Sequence, residues 1–188
     1  MSATAEMTAT QFLALDPPER RSLRRELVNG EVIVHEPTWM HNDSQGDVFG
    51  SLWTWVREQP ARGWVGVPLD VALDERNVHA PDVVWYRDGR VPKRDDPPPY
   101  PVPDLAVEVR SPSTWRYDIG SKKANYERYG VAELWLVDTA ADVVLVFRRS
   151  QPTAPLFDVS LELGAGDTLA SPLLPGFALA IGEIFAGG

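Results

Sequence analysis

Apolar and polar positions change period several times along the chain, and each change predicts an element. Thr8 to Leu15 reads as a short helix ended by Pro17-Pro18. Glu26-Leu27-Val28 and Glu31 to His35 alternate around Asn29-Gly30, which predicts a β-hairpin. From Asn42 to Gln59 the spacing of Val48, Leu52, Trp55 and Val56 suits an amphipathic helix. Strands are expected over Trp64 to Leu73 and Val83 to Tyr86. Residues Arg87 to Pro103 hold six prolines with Asp95 and Asp96, and read as a surface loop.

Beyond that loop the pattern is strand, helix, strand: Leu105 to Val109, Asp118 to Tyr129, Glu133 to Asp138. A βαβ unit implies a parallel or mixed sheet covered by helices. Val143 to Phe147 and Leu156 to Leu161 follow as strands, antiparallel at an edge. The expected fold class is α/β, a mixed central β-sheet flanked by helices with an N-terminal β-hairpin. The 188 residues read as one domain, 1–25 being the helix and lead-in and 87–103 the loop.

Composition narrows the classes. There is no cysteine, which excludes disulfides and thiolate metal sites and suits a reducing cytoplasm. Met1 to Thr10 lacks the basic start and apolar core of a secretory signal. Leu173 to Phe185 is broken by Pro175, Gly176, Gly182 and Glu183, so no membrane span is expected. The net charge of −9 is unusual for a nucleic-acid partner, because phosphate contacts call for a basic surface.

The chemistry begins at Asp104-Leu-Ala-Val-Glu-Val-Arg110. Strand alternation puts Leu105, Val107 and Val109 on one face and Asp104, Ala106, Glu108 and Arg110 on the other. A carboxylate inside a central strand needs a partner or a metal. Glu108 therefore reads either as half of an ion pair or as a ligand. Asp104 lies roughly 13 Å along the strand at ~3.3 Å per residue, too far to share an ion. Asp82 opens the preceding strand; paired strands would bring it within one metal's span, although it also reads as a turn cap after Pro81.

On the following helix Asp118 is the expected N-cap and Gly130 the stop. Ile119, Lys122, Tyr126 and Tyr129 form one stripe, which aims Lys122 at the sheet; snorkelling past the tyrosines is the alternative. Lys123 and Glu127 fall off the stripe as a surface pair. Two acids and a lysine suit hydrolysis of a phosphodiester with Mg²⁺ or Mn²⁺.

Several segments resemble a known family. Glu26-Leu-Val-Asn-Gly-Glu-Val-Ile-Val, Pro81-Asp-Val-Val and Pro103-Asp-Leu-Ala-Val-Glu-Val-Arg-Ser-Pro-Ser-Thr are similar to the Uma-type restriction endonuclease family. So are Asp118-Ile-Gly-Ser-Lys-Lys-Ala-Asn-Tyr, Gly130-Val-Ala-Glu-Leu-Trp-Leu-Val-Asp and Leu174-Pro-Gly-Phe with its Ile-Phe ending. The resemblance runs from Glu26 to Phe185 and implies the restriction-endonuclease-like fold of the PD-(D/E)XK nucleases. It implies Asp82 and Glu108 as metal ligands, with the Val109 carbonyl able to add one more. That superfamily's lysine normally follows the Glu by two residues, where this chain has Arg110; Lys122 matches the helix lysine that replaces it. The resemblance also points to Glu26 and His41 near the site, though each reads equally as a hairpin residue and a helix cap.

The implied activity is that of a Mg²⁺- or Mn²⁺-dependent endonuclease on nucleic acid, DNA before RNA, with a homodimer as a plausible form. The rival is a nuclease-fold binding or regulatory protein without turnover; a third reading is the same chemistry on RNA or a small nucleotide. His35, His41 and His79 have no metal-ligand spacing, Ser111-Pro-Ser113 is no nucleophile elbow, and no glycine-rich phosphate loop is present. Trp53, Trp85 and Trp135 read as core, and Trp115 as a candidate substrate contact.

Overall fold

The computed structural model describes residues 6–15 and 24–186. A six-stranded mixed sheet carries the fold: β3 (Trp64–Gly66), β6 (Val83–Tyr86), β7 (Leu105–Val109), β8 (Glu133–Asp138), β9 (Val143–Arg148) and β10 (Val159–Leu163). The order across the sheet is β10-β9-β8-β7-β6-β3. Only β7 and β8 run parallel, joined by the expected helical crossover. The other neighbours are antiparallel, including β6 with β7 and the edge strand β10 with β9.

Alternation along β7 and β8 sends side chains to two cores. Leu105, Val107, Val109, Trp135 and Val137 pack against the helix Trp39–Glu58 (α2) and the C-terminal segment. Ala106, Leu134 and Leu136 pack on the opposite face with Tyr126 and Val131. The sheet is thus covered on both sides, which matches the near-continuous apolar character of its central strands.

A second sheet, order β2-β1-β5-β4, contains the expected hairpin: β1 (Arg25–Val28) and β2 (Glu31–Val34), with β4 (Val71–Asp74) and β5 (Asn77–His79). Val28 faces Glu31 across the turn, and Asn29 and Gly30 both have positive φ, 52° and 83°. That is the conformation Asn-Gly favours in a two-residue hairpin. One side of this sheet, with Leu27 and Val78, packs under α1 (Ala9–Leu13), which Thr8 caps. The prolines expected to end α1 lie outside the described residues. The other side presents Glu26, Asn77 and His79 to the crossover helix.

Several expectations are corrected. The single strand foreseen over Trp64 to Leu73 is two strands in different sheets, because Pro68 cannot donate to a ladder. Strand β10 starts later than expected, and β5, β11 (Thr168–Leu169) and β12 (Leu179–Ala180) are too short to leave a period. Trp53 is no core residue; it is 41% exposed, stacked on Phe49 with Arg57 above it.

The crossover segment, 115–128 (α3), begins before Asp118. Thr114 is its N-cap, because the Ser111-Pro-Ser-Thr turn already supplies the first bonds: Thr114 and Trp115 N–H both donate to the Ser111 carbonyl. Asp118 therefore sits inside the helix, at the start of a π turn, Asp118–Lys122. A wide turn places Asp118 and Lys122 on one line and rotates Ile119 outward, to 47% exposure. Gly130 ends the helix with φ 86°, as expected. Lys123 and Glu127 each find another partner: the ammonium lies over the Phe147 ring, and the carboxylate accepts from Phe157 N–H.

Candidate active site

The five residues singled out from sequence converge at the junction of the two sheets. Glu26 comes from β1, Asp82 from the residue before β6, Glu108 from β7, Lys122 from α3 and His41 from the first turn of α2. All are buried. Val83 pairs with Val107, so Asp82, one residue earlier, is level with Glu108 across the antiparallel pair. The Val109 N–H donates to Asp82 Oδ2 at 2.6 Å, which fixes that carboxylate beside β7.

Lys122 is the hub. Its Nζ lies 2.8 Å from Glu26 Oε2, 2.8 Å from Glu108 Oε1 and 3.1 Å from Asp118 Oδ1, with the side chain 1% exposed. Burial alone would lower its pKa, but these three carboxylates outweigh burial and hold it well above the ordinary lysine value. Lys122 is therefore an ammonium at neutral pH.

The acids are pushed in opposite directions. Burial raises the Glu108 carboxyl well above its ordinary value, and Glu26, Asp118 and Asp82 add to the rise against Lys122. Tyr126 O–H donates to Glu108 Oε1 at 2.5 Å. Burial also acts on Glu26, but there Lys122 and His35 prevail and hold it well below its usual range. Asp82 is held at about 2: burial opposes its charge, and Arg24, His41 and the Val109 N–H overcome burial. Asp118 is raised, by burial first.

Structure adds residues that spacing along the chain did not single out. Arg24 pairs with Asp82 Oδ1, and His41 Nε2 lies 3.2 Å from the same oxygen. His35 pairs with Glu26 Oε2. His79, driven to about 3 chiefly by burial, stays neutral beside Asn125 and Tyr126. The three histidines thus gather around the acids from three different elements, which explains why their spacing looked uninformative. Asp118 could have been found: it lies four residues before Lys122 on one helix.

Other candidates sit elsewhere. Arg110 instead bonds Asp138, at the end of β8, at 2.8 and 3.0 Å. Asp104 is a structural anchor gripped by Arg87 and Arg90 of the proline-rich loop. Trp115 packs in the smaller core beneath the Arg110 guanidinium, so it is half-buried; the indole most open to solvent is Trp39, 82% exposed. His41 is not the cap of its helix either. Thr38 takes that role and accepts the His41 N–H at 3.2 Å.

Asp82 and Glu108 are the facing carboxylates that could hold a hard divalent cation. Four buried carboxylates meet two permanent cations, Lys122 and Arg24, and Asp82 Oδ1 receives no aligned hydrogen bond. Among the described residues no three His, Cys, Asp or Glu side chains form a metal cage. An ion would thus rest on Asp82, Glu108 and the Val109 carbonyl, with water and substrate oxygens completing its shell.

A mixed sheet with helices on both faces is the restriction-endonuclease-like architecture, and here Asp82 and Glu108 face each other across two adjacent strands with Lys122 beside Glu108. The family model described as "Putative restriction endonuclease" (Uma2) matches residues 9–182, and the chain belongs to that family. The crystal structure of a DUF820 protein from Anabaena variabilis, described as a putative nuclease, superposes with a TM-score of 0.78. It covers 96% of this chain and 98% of its own at 18% identity, a likeness that establishes the shared fold. No protein among those with curated descriptions matches the chain. No helix among the described residues is long and apolar enough to cross a membrane.

Proposed function

We propose that the protein is a Mg²⁺- or Mn²⁺-dependent endonuclease that hydrolyses nucleic-acid phosphodiesters, DNA before RNA. The observation that carries this reading is the facing of Asp82 and Glu108 across β6 and β7, with Lys122 Nζ 2.8 Å from Glu108. A bound divalent ion supplies an acidified water and neutralises phosphate charge. Asp82 and Glu108 would hold it. Lys122, being an ammonium, serves as a donor to the developing charge on phosphate rather than as a base. Glu26 and His35 keep that ammonium in place, and His41 steadies Asp82. Cutting both strands of a duplex calls for two such sites, which a homodimer would provide.

A specific observation favours a second reading, a binding protein without turnover. Both proposed ligand carboxylates are engaged by cationic side chains, and the chain carries −9 charge overall.

One experiment separates the two. Mn²⁺ and Mg²⁺ binding is measured by calorimetry on wild type and Glu108→Ala, and each is tested on plasmid, single-stranded DNA and RNA. Metal binding lost in the variant, together with metal-dependent cleavage, supports the nuclease. A folded wild type that binds neither ion overturns it, and nucleic-acid binding retained by Glu108→Ala then favours the second reading.

A further inference from the structure

A cavity of about 620 Å³ is lined by Arg24, Arg25, Gln45, Asp70, Ala80 and Tyr100 among others. Three of these touch the site. Gln45 Nε2 donates to the Asp82 carbonyl at 2.8 Å, Ala80 N–H donates to Glu26 Oε1 at 2.5 Å, and the Arg24 guanidinium pairs with Asp82. The acids themselves are buried behind this wall, and Arg24 is the side chain that both lines the cavity and reaches Asp82.

Two consecutive arginines on its wall are notable in a chain with 27 acidic and 18 basic residues. Each has a buried Nε that meets no acceptor among the described residues. A buried donor without an acceptor is unfavourable, and a phosphate oxygen is the acceptor a guanidinium fork fits best. Arg24 has a second property: its charge rests on Asp82 Oδ1, an oxygen of a carboxylate assigned above to the divalent ion. Two cations on one buried carboxylate oxygen repel strongly at low dielectric, so they exclude each other there.

We propose that Arg24 is an exchangeable counterion: it neutralises Asp82 until a divalent cation binds, then turns into the cavity, where it and Arg25 hold a phosphate of the substrate backbone. This rests on the metal-dependent reading above. Arg24 so couples metal loading to substrate binding, and the free acid pair is protected from self-repulsion in the interval.

The test uses the full chain, with Mn²⁺ alone and then thymidine 5′-monophosphate added at saturating Mn²⁺, both followed by calorimetry. Arg24→Gln is expected to bind Mn²⁺ at least about tenfold tighter than wild type, because its competitor is gone. Arg25→Gln leaves Mn²⁺ affinity unchanged. Both variants weaken monophosphate binding by about tenfold or more. Arg24→Lys, which keeps the charge and loses the fork, binds Mn²⁺ as wild type does and monophosphate more weakly; it decides the question if the glutamine variant does not fold. Melting gives an independent reading, since Mn²⁺ must raise the midpoint of Arg24→Gln more than that of wild type. Unchanged or weaker Mn²⁺ binding by Arg24→Gln, with normal binding by wild type, overturns the exchange alone. Monophosphate binding that ignores both arginines overturns it too. Failure of wild type and variant alike to bind Mn²⁺ overturns both this proposal and the metal-dependent reading.

Discussion

Glu26 and Lys122, 96 positions apart, meet at 2.8 Å with both side chains wholly enclosed. The pair ties the small sheet to the crossover helix, and its cation is shared with Glu108 and Asp118. Removing one partner of a buried pair strands the other's charge. Lys122→Met should therefore lower unfolding stability by about 3–5 kcal/mol in urea titrations and reduce cleavage by about 100-fold or more. Adding Glu26→Gln to Lys122→Met should restore part of the stability and none of the activity. Recovery of activity in the double variant would falsify the lysine's proposed role.

Asp82 sets an acid limit. Its folded pKa of about 2 lies below the ordinary 3.8, so the folded state favours the charged form. That contribution is complete above pH 4 or so and is lost as pH falls through about 2, and it amounts to roughly 2 kcal/mol. Asp82→Asn should flatten the decline of stability over that window in pH-dependent melting curves. A variant as acid-sensitive as wild type would assign the decline to another group.

Glu108 carries the opposite sign. Its folded pKa is raised, so its contribution is present below the ordinary 4.5 and lost as pH rises through the folded value. Glutamine mimics the protonated acid and still accepts the Tyr126 hydrogen bond. Glu108→Gln should melt at or above wild type at neutral pH, with a shallower loss towards alkaline pH, while losing Mn²⁺ binding. A strongly destabilised Glu108→Gln would mean the carboxylate charge itself holds the site together.

Arg110 stands where the nuclease superfamily has its lysine, yet it pairs with Asp138 on a third-exposed side chain. Such pairs contribute about 1 kcal/mol or less. Arg110→Ala should thus cost little stability and leave cleavage within a few-fold of wild type. An Arg110→Ala defect as large as that of Lys122→Met would return Arg110 to the site.

The legible parts of the sequence were those governed by local rules. Alternation assigned both faces of β7 correctly, Asn29-Gly30 announced the hairpin, and Gly130 marked the end of α3. The convergence of Glu26, His41, Asp82, Glu108 and Lys122 followed from family motifs and from one helical stripe. Illegible were features created by tertiary contact. Pro68 splits a single apolar run between two sheets, and no period reveals which strand goes where. The π turn shifts the buried line of α3 from Ile119 to Asp118, which a 3.6-residue period cannot register. His35 follows the partner strand of the hairpin and meets Glu26 across it, whereas Arg24 reaches Asp82 only when that sheet docks on the large one.

That docking has a consequence for how the site assembles. Glu26, His35 and His79 belong to the small sheet, whereas Asp82 and Glu108 belong to the large one. Glu26 meets His35 within its own sheet, but Lys122 reaches Glu26, and Arg24 reaches Asp82, only across the junction, so the charged residues act as a checksum on tertiary assembly. A chain with the two sheets apart lacks the Glu26–Lys122 and Arg24–Asp82 pairs, so the proposed centre is complete only once the sheets have docked.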